Sequence, residues 1–180
     1  MDLEAEQRRI RKESMQAFLL CAAVSVACVL FLPKLTTFPV EPGERLAFAV
    51  KTSVVHFACV IVAVRLVSKG RYRSILDIGG AAKGPPSSAL AVKAAFLQNT
   101  LEQAFLGVGA HLLLASVTGG RWLALLVASA LLFTVGRISF YRSYPDGAGA
   151  RAFGMATTAL ASLFCYIAAL AILAGRLFGG

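Results

Sequence analysis

Apolar runs at residues 16–32, 46–67, 89–117, 122–144 and 150–173 constrain this chain more than any other feature of it. Each comes close to or exceeds the roughly 20 residues that an α-helix needs to cross a hydrocarbon core. A bilayer offers no water to exposed backbone N–H and C=O groups, so such runs must satisfy them within the helix. No ten-residue segments alternate with period two, which argues against a membrane barrel. Only 15% of the residues are charged, where a soluble domain carries about a quarter. The expected class is therefore all-α and integral to the membrane, with five spans and no room for a second folded domain.

The connections divide the chain further. Residues 1–15 form a charged lead-in, expected as a helical extension of the first span, which should stop at Pro33. No small-residue cleavage site follows that span, so it reads as retained and not as a signal peptide. Pro39 and Pro42 lie in the connection that parts residues 1–45 from the four further spans expected over 46–180. The longest loop, 68–88, is punctuated by Gly79-Gly80 and Gly84-Pro85-Pro86, with Ser87 or Ser88 placed to cap the third helix. Pro145-Asp146-Gly147 separates the last two helices.

A formal charge of +9 suggests nucleic acid only if the cations gather on one face. Here they sit at helix ends, so no nucleic-acid partner is expected. They report topology instead. With the N-terminus inside, thirteen cations, among them Arg8, Arg65, Lys69, Lys93, Arg137 and Arg151, fall on the inner side, and Lys34, Arg45, Lys51, Arg121 and Arg176 fall outside. The expected arrangement has a cytoplasmic N-terminus and a C-terminus on the opposite side, as in a bacterial inner membrane. Cys21, Cys28, Cys59 and Cys165 lie in apolar runs without a C-x-x-C pair, so they read as small packed thiols and no metal site is expected. His56 and His111 read as helix-packing hydrogen-bond partners, and Asp77 and Asp146 as solvated loop acids.

Glu102 is the one acidic residue inside an apolar run. A carboxyl at membrane depth costs about 2.5–3.5 kcal/mol on insertion scales, so it faces a partner or a wet cavity. Gln98 and Asn99 lie four and three residues before it, on or near one helix face. Arg137, Tyr141 and Tyr144 share a face at i, i+4 and i+7, and Arg151 opens the next helix on the same side of the membrane. Arginines beside an embedded carboxylate and amides suit a small zwitterionic or anionic ligand. A silent Glu–Arg pair between helices is the plainer alternative. A small transporter is disfavoured by the lack of a duplicated half or a pair of broken helices.

These residues, in this order, resemble the MAPEG family, the membrane-associated proteins in eicosanoid and glutathione metabolism. Asn99 and Glu102 match the end of its Arg-x-x-x-Asn-x-x-Glu signature, and Arg137, Phe140, Tyr144 and Arg151 match its later Arg, aromatic, Tyr and Arg positions. The resemblance covers residues 46–175 and leaves the helix at 16–32 as an addition. It implies a homotrimer that binds glutathione as co-substrate at the cytoplasmic side. Arg151 would stabilise the thiolate, Arg137 would hold a carboxylate, and Asn99 and Glu102 would take the peptide and α-amino end. Tyr144 would add a hydroxyl contact, with Gln98 and Tyr141 as further binding residues. The implied activity is a membrane-bound glutathione transferase or peroxidase on lipophilic electrophiles reaching it through the membrane lipids. A non-catalytic lipid-binding or scaffold protein on the same fold is the alternative. Ala95 stands where the family has Arg and Phe140 where it has Tyr. Lys93, Arg65 and Lys69 are the nearest cations that could replace the missing contact.

Overall fold

Asp2 opens the first helix by accepting a hydrogen bond from the Glu4 backbone N–H at 3.0 Å, one of the donors a helix start leaves unpaired. A computed structural model describes residues 2–178. Helix α1 runs Leu3–Leu35, so the charged lead-in and the first span are one continuous helix. It also passes through Pro33, contrary to the expected stop. So close to the C-terminal end, the missing N–H removes only a final-turn hydrogen bond.

The second span is built from two helices. Helix α2 covers Pro42–Thr52, with proline in its first turn, and α3 covers Val54–Tyr72. They meet at Ser53, whose hydroxyl bonds back to the Ala49 carbonyl at 2.7 Å and lies 3.0 Å from His111 Nδ1. Back-bonding of this kind bends a helix. Helix α4, Ser88–Val117, is capped by Ser87, which accepts from the Leu90 N–H. Asp77 is not a solvated acid: it is 4% exposed and accepts from both the N–H and the hydroxyl of Ser87, at 2.8 and 2.6 Å. A hydrogen bond from Ser74, then those from Ser87 and the charge of Arg71, lower its pKa. Helix α5 spans Ala124–Arg142 and α6 spans Ala148–Phe178, the latter beyond the expected end at Leu173. Among the described residues five helical stretches, with α2 and α3 counted together, are long and apolar enough to cross a membrane.

Small residues set how closely the helices pack. A Cβ on Gly154 of α6 would run into the Phe140 backbone of α5, and one on Gly136 would meet Thr158 and the Gly154 carbonyl. The two backbones therefore approach more closely than any side chain allows. Helix α1 lies along α6 and α5 with Ala17, Cys21 and Ser25 buried at a four-residue spacing. Gly107 of α4 leaves space for the ring of His56. That ring packs on Phe133 at 4.1 Å and on His111 at 4.8 Å between centroids, while its two nitrogens have no hydrogen-bond partner among the described residues. His56 thus contributes packing without the expected hydrogen bond, which His111 makes with Ser53.

Candidate functional site

The close approach of α5 and α6 decides where Arg137 can go. Its side chain is 2% exposed and runs between the helices. Nε donates to Thr158 Oγ1 at 3.1 Å, and Nη1 donates to Asn99 Oδ1 at 2.7 Å. The guanidinium also lies over the rings of Phe140, at 4.7 Å, and Phe133, at 5.9 Å. Such a cation is tolerated at depth because Nε and Nη1 have oxygen acceptors and the plane lies on aromatic faces, although Nη2 is buried without a hydrogen-bond partner among the described residues. It fixes the Asn99 amide with the oxygen turned toward itself, leaving the two Nδ2 protons for another acceptor.

Asn99 lines a cavity of about 450 Å³ together with Ala95, Phe140, Tyr144 and Arg151. Arg151 is half-buried, with its guanidinium 4.6 Å from the centroid of the Tyr144 ring. The tyrosine ring in turn meets Phe140 edge-on at 5.4 Å. Met155, Ala156 and Ala159 of α6 supply an apolar wall. One cationic head, one amide donor, one phenol and an apolar wall suit a ligand that is polar at one end and greasy at the other.

The opposite wall comes from an element with no motif in it. Ile10 and Ser14 of α1 line the same cavity. One turn before Ile10, Glu6 accepts a hydrogen bond from the Gly149 N–H at 2.6 Å, in the first turn of α6 and two residues from Arg151. Arg9 packs its stem on Gly149. The signal for this in the sequence is weak but physical: Glu6, Ile10, Ser14 and Ala17 keep helical spacing and run into the buried Cys21 and Ser25.

The sequence-derived candidates therefore separate into three groups. Asn99, Tyr144 and Arg151 share the cavity. Arg137 stands behind it, in contact with Asn99. Gln98 and Glu102 lie elsewhere on α4, bonded to each other at 2.9 Å on its exposed face. Tyr141 points away as well, packing on Phe96 at 4.7 Å and lining cavities between α3, α4 and α5. Lys69 and Lys93 line one of those separate cavities and do not reach Asn99 from the same chain.

No curated protein and no solved structure matches this chain. The family model of the MAPEG family, in contrast, matches residues 47–171, beginning in α2 and ending in α6. The matched segment contains Asn99, Glu102, Arg137, Tyr144 and Arg151 and leaves α1 outside it. With the match covering well over half of its length, the chain belongs to the MAPEG family.

Proposed function

We propose that this protein is a glutathione-dependent membrane enzyme, a transferase or peroxidase acting on lipophilic electrophiles at the cytoplasmic face of a bacterial inner membrane. The observation that carries the reading is one cavity lined by Asn99, Tyr144 and Arg151 within the span matched to the family. Glutathione has a thiol, two carboxylates, an amine and two peptide groups. Arg151 supplies a guanidinium that favours the thiolate over the thiol, and the thiolate is the nucleophile. The Nδ2 donors of Asn99, held in place by Arg137, suit a peptide carbonyl or carboxylate. The Tyr144 hydroxyl offers a further polar contact. The wall of Met155, Ala156 and Ala159 suits the apolar co-substrate.

The proposed assembly is a homotrimer, and the outer face of α4 supports it. Gln98, Glu102, Phe105, Leu112 and Ser116 are exposed at the spacing of a helix–helix seam, with the Tyr166 hydroxyl of α6 lying over Gly109 between them. Phe105 is 79% exposed in the isolated chain, and the Gln98–Glu102 pair stands on the same face. A carboxylate there needs a partner at membrane depth. A neighbouring copy packed on this seam would bring Gln98 and Glu102 toward a shared ligand.

The test is conjugation of a chromogenic electrophile by detergent-purified protein, with Arg151→Ala beside the wild type. Turnover that falls at least about tenfold in the variant, with assembly unchanged, supports the reading; equal turnover removes Arg151 from the chemistry. A second reading, a lipophile-binding protein without chemistry, is favoured by Ala95 and Phe140, which both line the cavity and make it less polar. Under that reading glutathione leaves the thermal stability unchanged, because only a ligand of the native state raises it.

A further inference from the structure

On another side of the molecule, Lys69 of α3, Arg73 just past its C-terminal end and Lys93 of α4 converge on a cavity of about 400 Å³. Lys93 reaches it because residue 70 is glycine: a Cβ there would lie 3.2 Å from Lys93 Nζ and 3.0 Å from Leu90. The ammonium head is thus laid against the α3 backbone beside the other two cations. Among the described residues none of the three has a carboxylate partner within 4 Å, and the one ion pair is Arg8–Glu4. Asp77 also lines this cavity, where its carboxylate accepts from the Ser87 N–H and hydroxyl, so three cations share the space with one anion and the cavity stays net positive. Three cations drawn together against a single carboxylate leave an excess of positive charge that suits an anion.

The cavity continues into an apolar groove. Leu66 and Tyr141 line both spaces, and from them a groove of about 320 Å³ runs along α3 past Val62 to Cys59, floored by Phe96. Lys69 to Cys59 spans about 15 Å of helix, close to half the thickness of a hydrocarbon core. The groove is thus one leaflet deep, with the cations at its polar end. Phe96 lies about 200° around α4 from Gln98, so the groove opens away from the seam and toward lipid. It shares no lining residue with the cavity of Asn99 and Arg151.

We propose that this composite site binds an anionic phospholipid, with its phosphate held by Lys69, Arg73 and Lys93 and an acyl chain lying along Cys59, Val62 and Leu66. The inference stands independently of the glutathione reading. It is tested on the full-length protein in neutral detergent, by thermal unfolding and by mass spectrometry of retained lipid. The probes are dioleoyl phosphatidylglycerol, dioleoyl phosphatidylcholine and glycerol phosphate as the headgroup alone. Phosphatidylglycerol should remain bound and raise the Tm by several degrees more than phosphatidylcholine. Combining Lys69→Gln, Arg73→Gln and Lys93→Gln should abolish that difference while the Tm in phosphatidylcholine stays unchanged. Val62→Trp, which fills the groove and keeps the cations, should reduce phosphatidylglycerol retention several-fold. Should the triple variant not fold, Lys93→Gln alone and Val62→Trp decide, each expected to lose retention several-fold. The proposal is overturned if wild type treats the two lipids alike, if these variants keep the preference, or if glycerol phosphate alone reproduces it.

Discussion

Substituting Gly154 by alanine adds a single methyl group where the backbones of α5 and α6 meet. Its Cβ would fall 2.7 Å from both the Gly136 carbonyl oxygen and Phe140 Cα, and closer still to Phe140 N. These are backbone atoms, so no rotamer change relieves the contact and α5 must move away from α6. Overpacking where side chains can yield costs about 1–3 kcal/mol. Separation of the helices also breaks the 3.1 Å bond from Arg137 to Thr158, a charged hydrogen bond worth about 1.5–3 kcal/mol. Together these give a loss of about 2.5–6 kcal/mol for Gly154→Ala. Gly175, on the same helix, has nothing within 4 Å of its Cβ position. There alanine should be neutral or stabilise by up to ~1 kcal/mol through helix propensity. Titrating both variants with a denaturing detergent while following helical circular dichroism measures the difference. A Gly154→Ala protein as stable as Gly175→Ala would refute the backbone-contact argument.

Four further outcomes are expected. Arg137→Met keeps the volume and removes the bonds to Thr158 and Asn99, so stability should fall by about 1.5–3 kcal/mol, and glutathione affinity measured by calorimetry should drop about tenfold as Asn99 loses its anchor. Glu6→Ala removes the acceptor for Gly149 N–H and should cost about 0.5–2 kcal/mol in thermal unfolding, with Glu6→Gln losing less because it still accepts. Asp77 has its pKa lowered below the ordinary 3.8 by the hydrogen bonds from Ser74 and Ser87. Its anchoring of the loop is therefore complete above that value and lost as pH falls through the lowered one. Amide exchange at Ser87 should accelerate there, and Asp77→Asn should remove the pH dependence. Phe105→Arg places a cation on the α4 seam and should yield monomers in analytical ultracentrifugation; an unchanged assembly would exclude that seam.

The spans were legible because membrane burial demands long unbroken apolar runs, and each is found as helix within a few residues of its expected place. The exceptions have local causes. Pro33 costs little so near a helix end, and Ser53 splits the second span through a side-chain bond to Ala49 and a partner, His111, distant in sequence. Gln98, Asn99, Glu102, Arg137, Tyr141, Tyr144 and Arg151 were legible as one group at one end of the bundle, and the structure collects Asn99, Tyr144 and Arg151 of them in one cavity while Gln98, Glu102 and Tyr141 face elsewhere. The position of Arg137 behind Asn99 was not, because it depends on how closely Gly136 and Gly154 let two helices approach. Nor was the wall formed by Ile10 and Ser14, since the packing partner of a charged helix is set by tertiary contact and not by its own pattern. Lys69, Arg73 and Lys93 look like ordinary interfacial anchors in sequence, and only the gap at Gly70 brings them together.

The decisive experiment is a glutathione titration of the detergent-purified protein, followed by thiolate absorbance in the ultraviolet, on wild type and Arg151→Ala. A saturable thiolate signal in the wild type that disappears in the variant is the expected result. A wild type that shows no thiolate at saturating glutathione, or a variant that forms as much, would contradict the role assigned to Arg151.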